Sequence, residues 1–90
     1  MTSSNENPAI SDQSIYKKLT SIFCTILENN EIVLDAETSE SDIAGWDSFT
    51  NASLIAAIEK EFGIRFRTAE LQTLRSAGDF VSLIRAKLHG

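Results

Sequence analysis

The serine hydroxyl in Gly45-Trp46-Asp47-Ser48-Phe49 is the group in this chain whose surroundings point most directly to chemistry. A serine is a weak nucleophile unless a neighbouring base activates it. Asp47 is a poor base, since an ordinary aspartate is ionised but only weakly basic at neutral pH. The sole histidine, His89, lies near the other end of the chain, which argues against a Ser-His-Asp arrangement. Ser48 is therefore predicted to be the target of another enzyme rather than a catalyst.

Ser48 also stands where a loop is predicted to turn into a helix. A phosphate ester is favoured at such a point, because the helix dipole and the backbone N–H groups of the first turn stabilise an anion. The same position suits a serine that only caps the helix, since Ser and Asp are among the preferred N-cap residues. The residues alone leave both interpretations open, a modified serine and a structural cap.

A chain of 90 residues with a net charge of -5 is predicted to form one small domain. The acidic balance argues against nucleic-acid binding and suits partners with basic patches. A single cysteine, Cys24, excludes an internal disulfide and indicates the reducing cytoplasm. We expect no secretory signal in residues 1–10, which lack an apolar stretch. We also expect no membrane span, because no apolar run approaches the roughly 20 residues required.

Three amphipathic segments and one short segment predict an all-α fold, a small four-helix bundle with a long loop after helix one. Residues 1–10 are predicted to be a flexible tail, and residues 11–88 the folded domain. Helix one is predicted to start with Ser11 as its N-cap and to end at Asn29-Asn30. Its apolar stripe consists of Ile15, Leu19, Ile22, Phe23, Ile26 and Leu27.

The connection at residues 28–47 is unusually long, and such loops in compact domains are mostly functional or disordered. Its acidic residues do not follow the spacing of an EF-hand, which also needs a glycine and a final glutamate, so we predict no metal site. A solvated acidic loop is the better interpretation. Its predicted apolar contacts to the core are Ile32, Val33, Leu34 and Ile43, and its acidic residues are Asp35, Glu37, Glu40 and Asp42.

The second helix is predicted to run from Ser48 to Phe62 and to be closed by Gly63. Ile64-Arg65-Phe66 is predicted to be a loop, because no second strand exists to pair with it. The apolar face of the second helix is predicted from Ala52, Ile55, Ala56, Ile58 and Phe62, with Leu54 on its flank.

A short third helix is predicted over Thr68 to Leu74, capped by Thr68. Ser76 and Asp79 then have the spacing of a capping box, which opens the last helix. The core stripe of that helix is Phe80, Val81, Ile84 and Leu88.

The stretch Gly45-Trp46-Asp47-Ser48-Phe49, with Leu54-Ile55-Ala56-Ala57-Ile58-Glu59-Lys60-Glu61-Phe62-Gly63-Ile64, resembles the acyl carrier protein family. The family opens its second helix with Asp-Ser-Leu and usually ends that helix in a Glu-rich turn similar to Phe-Gly-Ile. The resemblance extends from about Ser11 to Leu88 and includes the order of the four helices. It implies an acyl-carrier-like bundle that supplies attachment, shape and recognition but no catalytic residue of its own.

This resemblance implies that Ser48 receives 4′-phosphopantetheine from a phosphopantetheinyl transferase, which takes it from coenzyme A. The arm then holds an acyl group as a thioester and presents it to acyl-loading, condensing or acyl-transfer enzymes. Asp47 matches the acidic residue of the motif. Phe49 matches its leucine and is expected to contact the transferase or to pack near the arm. Where the family shelters an acyl chain, the candidates are Ile55, Ile58, Phe66 and Leu74, for which a plain core role is an equal alternative.

The chain departs from the family's usual pattern on both sides of Ser48. Fatty-acid carriers have acidic residues early in the second helix, where Thr50 and Ser53 stand here, so these two are docking candidates without that charge. Trp46 replaces a small residue and is either an aromatic docking residue or a staple that holds the loop to the helix. We therefore expect a specialised carrier of a polyketide-like or other secondary-metabolite pathway.

Two other functions remain open. One is a peptidyl or aminoacyl carrier of a nonribosomal pathway, and the other is an unmodified helical domain that binds a partner through apolar grooves. In each case we expect a monomeric, cytoplasmic and non-catalytic protein. Only the carrier functions require Ser48 to be modified.

Overall fold

The computed structural model describes residues 11–89, and all regular structure within them is helical. Its α-helices are α1 (Asp12–Leu27), α2 (Ser48–Phe62), α3 (Thr68–Leu71) and α4 (Ala77–His89), and a turn of 3-10 helix lies at Glu40–Asp42. The predicted all-α class and helix order are confirmed. The predicted flexible tail, residues 1–10, lies outside the described residues. None of the helices between residues 11 and 89 combines the length and the apolar character needed to cross a membrane.

Helix α1 begins and ends with local hydrogen bonds. Ser11 is its N-cap, as predicted, and the Ser11 hydroxyl oxygen accepts a hydrogen bond from the Ser14 N–H at 3.2 Å. The helix closes at Glu28, which has a left-handed φ of 54°, so the predicted end at Asn29-Asn30 is wrong. The chain turns at this earlier point because Ile32, shortly afterwards, is buried in the core.

The core forms where α1 packs against α2 and α4. Leu54, predicted on the flank of α2, is fully buried, whereas Ala52 and Ala56 of the predicted apolar face are exposed. Because a leucine removes more apolar surface from water than an alanine, α2 turns its leucine inward. The buried residues of these helices are Ile15, Leu19 and Phe23 from α1, Leu54 and Ile58 from α2, and Ala77, Phe80, Val81 and Ile84 from α4.

The loop at residues 28–47 reaches the core through alternate side chains. Ile32 and Leu34 are buried, whereas Val33 between them is 79% exposed. Alternation of this kind is expected where an extended chain runs along a core, because successive side chains point to opposite sides. The prediction that Val33 contacts the core is therefore wrong. Ile43 is half-buried and packs against the core, as predicted.

The middle of this loop is hydrogen-bonded to the start of α4. The Ala77 N–H donates to the Thr38 carbonyl oxygen at 2.8 Å, and the Gly78 N–H donates to the Ala36 carbonyl oxygen at 3.1 Å. Both N–H groups lie in the first turn of a helix, where no carbonyl of the helix itself can reach them. The loop thus provides acceptors that α4 lacks.

The predicted capping box of α4 is confirmed. The Asp79 carboxylate accepts hydrogen bonds from the N–H groups of Arg75 and Ser76 at 2.8 and 3.2 Å. In return, the Ser76 hydroxyl oxygen accepts a hydrogen bond from the Asp79 N–H at 3.3 Å. The backbone of Arg75 and Ser76 is therefore held in place at the entrance of α4.

Helix α3 is shorter than the predicted span of Thr68 to Leu74. Its N-cap is Arg67 rather than Thr68, because the Glu70 carboxylate accepts the Arg67 N–H at 2.7 Å. The helix stops at Leu71, where the Thr73 hydroxyl donates to the Glu70 carbonyl oxygen at 2.7 Å. Residues 64–67 before it form a loop, as predicted.

We expect Gly78→Ala to destabilise the protein, although alanine is the better helix former. A Cβ atom at residue 78 would lie 2.5 Å from the Ala36 carbonyl oxygen, a backbone atom that cannot rotate away. The expected loss is about 1–3 kcal/mol, the usual cost of overpacking, measured by urea unfolding. Ser82→Ala, at an exposed site of α4, is the matched control and should not destabilise the protein, with a gain of at most about 0.5 kcal/mol from helix propensity. A more stable Gly78→Ala protein would contradict the close packing of loop and helix.

Candidate functional site

The N-terminus of α2 is capped by Asp47, not by Ser48. The Asp47 Oδ1 atom accepts hydrogen bonds from the N–H groups of Phe49 and Thr50, each at 2.9 Å. The Thr50 hydroxyl oxygen accepts a hydrogen bond from the Asp47 N–H at 2.9 Å, which completes a reciprocal box. The structural alternative for Ser48, a helix N-cap, is therefore wrong. Ser48 is the first residue inside the helix.

The Ser48 side chain is exposed, and within the described residues its hydroxyl forms no hydrogen bond. This differs from a capping serine, whose oxygen would be engaged by the backbone. The N–H groups of Phe49 and Thr50 are already bonded to Asp47, so they are not available to a phosphate on Ser48. Of the two effects expected to favour a phosphate ester here, the helix dipole remains, whereas the N–H groups of Phe49 and Thr50 are already engaged.

Hydrogen bonding keeps the Asp47 carboxylate ionised. The hydrogen bond from the Thr50 N–H has the largest effect on the pKa of Asp47 and lowers it below its usual value. Desolvation opposes this effect, and smaller contributions from the Thr50 hydroxyl and the Phe49 N–H lower the pKa further. A carboxylate with a lowered pKa is a still weaker base than an ordinary aspartate. Asp47 therefore positions the turn but cannot activate the Ser48 hydroxyl.

The turn before the cap depends on Gly45 and Thr50. Gly45 has a φ of 90°, a conformation that residues with a Cβ atom rarely adopt. Its carbonyl oxygen accepts a hydrogen bond from the Thr50 hydroxyl at 2.6 Å. Thr50 was a docking candidate on sequence grounds, yet its hydroxyl is occupied inside the turn. The Asp-x-x-Thr spacing of a capping box was the signal that could have revealed this role.

Trp46 is part of the core, with only 5% of its surface exposed. Its ring meets Phe23 of α1 edge to face at a centroid distance of 4.8 Å and lies 6.2 Å from Phe80 of α4. Its Nε1–H donates to the Asn51 side-chain oxygen at 2.9 Å. Trp46 is therefore not an exposed docking residue. Its contacts fit the other predicted role, in which it holds the loop to α2. The part played by Asn51 is not visible in the sequence.

Two of the residues singled out near Ser48 do face the solvent. Phe49 is 84% exposed, which is unusual for so large an apolar side chain, and Ser53 is exposed one turn further along α2. Both are accessible to a partner. Their assignment to docking stays a prediction.

The four candidates for an acyl pocket belong to the packed interior. Ile58 is fully buried, while Ile55, Phe66 and Leu74 are half-buried and pack against the core. The Phe66 ring lies 6.4 Å from that of Phe80, with the planes at 72°. Their core role is thus visible, and their role as a lining for an acyl chain stays a prediction.

A surface cleft of about 570 Å³ opens beside the first turns of α2. Trp46 and Leu74 form its apolar part. Asn51 of α2 and Arg75, which lies just before α4, also line it. The remaining lining comes from the 3-10 region of the loop, Ser39, Glu40 and Ser41. Between residues 11 and 89, no group of three or more His, Cys, Asp and Glu side chains is arranged to hold a metal ion.

The family model and the curated relatives that match this chain agree with one another. A family model described as a phosphopantetheine attachment site matches residues 17–84. An acyl carrier protein of Thermotoga maritima is 33% identical over 78 residues, which cover 87% of this chain and 96% of that protein. An acyl carrier protein of Clostridium acetobutylicum is 32% identical over 72 residues, which cover 80% and 94%.

A solved structure agrees with the sequence relatives. The solution structure of the holo acyl carrier protein from Geobacter metallireducens is similar to this chain with a TM-score of 0.78 and 39% sequence identity. The similarity covers 82% of this chain and 85% of that one.

The lowered pKa of Asp47 predicts a pH dependence of stability. Because the folded-state pKa lies below the unfolded value of about 3.9, this stabilisation is present above that value and is lost as pH falls through the folded-state pKa. We expect the thermal unfolding midpoint of the wild type to fall more steeply below about pH 4 than that of Asp47→Asn. The Arg67 N–H also lowers the pKa of Glu70, but this effect is common to both proteins. Parallel curves would contradict the proposed cap.

Proposed function

This chain belongs to the acyl carrier protein family, and we propose that Ser48 is the residue on which it holds its arm. The protein is a non-catalytic carrier, and its cofactor is covalently attached 4′-phosphopantetheine. The terminal thiol of that group holds an acyl chain as a thioester, and partner enzymes supply the chemistry. The observation that carries the proposal is the exposed Ser48 hydroxyl beside a helix cap that another residue provides.

The surroundings of Ser48 fit a bulky phosphate ester. Its side chain points away from the core, and replacing the hydroxyl hydrogen disturbs no hydrogen bond within residues 11–89. The cap of α2 persists after modification, because Asp47 and Thr50 supply it. The position in the first turn still favours an anion through the helix dipole.

The attachment step needs a base from the partner enzyme. The Ser48 oxygen attacks the phosphorus of coenzyme A that bears the pantetheine, a P–O bond to Ser48 forms, and the pyrophosphate P–O bond breaks. The adenosine bisphosphate portion leaves, and the hydroxyl proton passes to a base of the transferase. Asp47 is unsuited to take that proton, since its carboxylate is engaged by Phe49 and Thr50 and its pKa is lowered.

The charge around Ser48 comes from the loop rather than from α2. Seven of the thirteen acidic residues lie in residues 28–47, which contain no Lys or Arg, and all seven are exposed. Residues 48–58 of α2 carry no charge. A basic patch on a partner is therefore steered towards the loop side of Ser48, while Phe49 and Ser53 offer uncharged contacts.

This distribution supports a dedicated carrier rather than a general one. Partners that dock on an acidic second helix meet an uncharged surface here, so productive encounters favour enzymes matched to this chain. We place the carrier in a polyketide-like or other secondary-metabolite pathway of the cytoplasm, with a short or modified acyl group as cargo. The free thiol of Cys24 is consistent with a reducing compartment.

Ser48→Ala should abolish loading without unfolding the protein. Co-expression with a broad-specificity phosphopantetheinyl transferase should add the mass of one phosphopantetheine group to the wild type and none to Ser48→Ala. Ser82→Ala, a serine exposed on α4, is the matched control and should still be loaded. Since Asp47 provides the cap, Ser48→Ala should change the free energy of unfolding by only about 0.5 kcal/mol or less. A mass gain that survives in Ser48→Ala would refute this attachment site.

The proposal of a dedicated pathway predicts the cargo found in the native host. Intact-mass measurement of the protein purified from that host should show a short or oxygen-bearing acyl group on the arm. A range of long saturated acyl chains would instead show a general fatty-acid carrier, and the specialised role would be wrong. An aminoacyl mass would identify a carrier of a nonribosomal pathway.

A further inference from the structure

We propose that the groove between α1 and α2 is a second docking surface, which takes an amphipathic helix of a partner protein with acidic side chains beside its apolar stripe. Docking in this groove does not require an arm on Ser48. The groove has a volume of about 500 Å³. Its lining consists of Lys18, Ser21, Ile22, Thr25 and Ile26 from α1 and of Ala57, Lys60 and Glu61 from α2.

The floor of the groove is apolar and still in contact with solvent. Ile22 and Ile26 are one turn apart on α1, and both are only half-buried, although they pack against the core. Ala57 lines the groove from α2, and its short side chain leaves room between the two helices. Covering this strip with another apolar surface is favourable, and a helix with apolar side chains at i, i+4 and i+7 is suited to lie in such a groove.

The rim of the groove is positive on a protein that is acidic as a whole. Each helix contributes one lysine, Lys18 from α1 and Lys60 from α2, and both are exposed. Glu61 is the one acidic residue among the described residues of the lining, and its carboxylate is paired with Lys18 at 3.2 Å. Two lysines and one glutamate give the lining a net charge of +1, in a chain whose net charge is -5.

This local charge favours an acidic partner. Within residues 11–89, Lys60 forms no ion pair, and the Lys18 ammonium keeps two N–H donors after its bond to Glu61. Carboxylates beside the apolar stripe of a docking helix can bond to these donors. Basic partners are drawn instead to the loop at residues 28–47, with its seven exposed acidic residues. The two surfaces therefore fit partners of opposite charge.

The groove lies on the side of α2 away from Ser48. Ala57 follows Ser48 by nine residues. This separation is about two and a half turns, or about 14 Å along the helix axis, and the half turn places the two residues on opposite faces of α2. A partner helix in the groove therefore leaves Ser48 accessible. One protein can hold the carrier at the groove while a second protein acts at the serine.

The test titrates the isotope-labelled, unloaded, full-length protein with two synthetic amphipathic peptides that share one leucine stripe at helical spacing. Glutamates flank the stripe in one peptide and lysines in the other. We expect the acidic peptide to shift the amide signals of Ile22, Ile26 and Ala57, and to bind more weakly as salt screens its attraction to the lysines. The basic peptide should shift signals of the loop at residues 28–47 instead. An acidic peptide that leaves the groove signals unchanged, or that binds more tightly as salt is added, would overturn the proposal.

Two charge reversals distinguish the groove from the overall charge of the protein. Lys60→Glu should weaken binding of the acidic peptide about three- to tenfold, because one attractive contact becomes repulsive. Arg65→Glu changes the net charge equally at an exposed arginine outside the groove, and should keep the affinity within about twofold of the wild type, since charges at a distance are screened. Equal weakening by the two variants, or no weakening by Lys60→Glu, would refute docking in the groove.

The position of Ser48 provides a last comparison. Ser48→Ala and the protein loaded with phosphopantetheine should bind the acidic peptide as the unloaded wild type does, because Ser48 lies on the far side of α2. Binding that is lost on loading would refute the separation of the two surfaces. Since the main titration uses unloaded protein, a failure to load Ser48 refutes the attachment site and leaves the result at the groove unaffected.

Discussion

The burial of the Trp46 indole is the interaction on which the site depends. Its ring fills the space between α1 and α4 by contact with Phe23 and Phe80, and its Nε1–H is paired with Asn51 of α2. One side chain thus connects the long loop to three helices. Since Ser48 follows it by two residues, the packing of the indole fixes where the serine leaves the core surface.

In the turn between Trp46 and α2, the residues that cap the helix are different from the serine proposed to be modified. Asp47 and Thr50 pair the backbone N–H groups of residues 47, 49 and 50 at the helix start, so the Ser48 side chain forms no part of the cap. The same hydrogen bonds keep the Asp47 carboxylate from acting as a base. Ser48 is accessible and not activated, and it has no side-chain hydrogen bond in the described part of the chain. Such a serine suits a carrier, because it reacts only where a partner enzyme supplies the missing groups.

The surface around Ser48 combines an acidic side with an uncharged one. The loop at residues 28–47 is acidic and exposed, the start of α2 carries no charge, and Phe49 is exposed beside the serine. The loop is hydrogen-bonded to α4 through the N–H groups of Ala77 and Gly78, and its Ile32 and Leu34 side chains are buried in the core.

The helix limits of α2, the Ser11 cap and the Ser76–Asp79 box could be predicted from the sequence, because each depends on residues within a turn of one another. The motif around Ser48 likewise identified the family. Tertiary structure alone decided the burial of Trp46 and the inward position of Leu54, because both depend on aromatic and aliphatic partners distant in sequence. It also decided where α1 turns, since that point is set by the loop side chains that must reach the core.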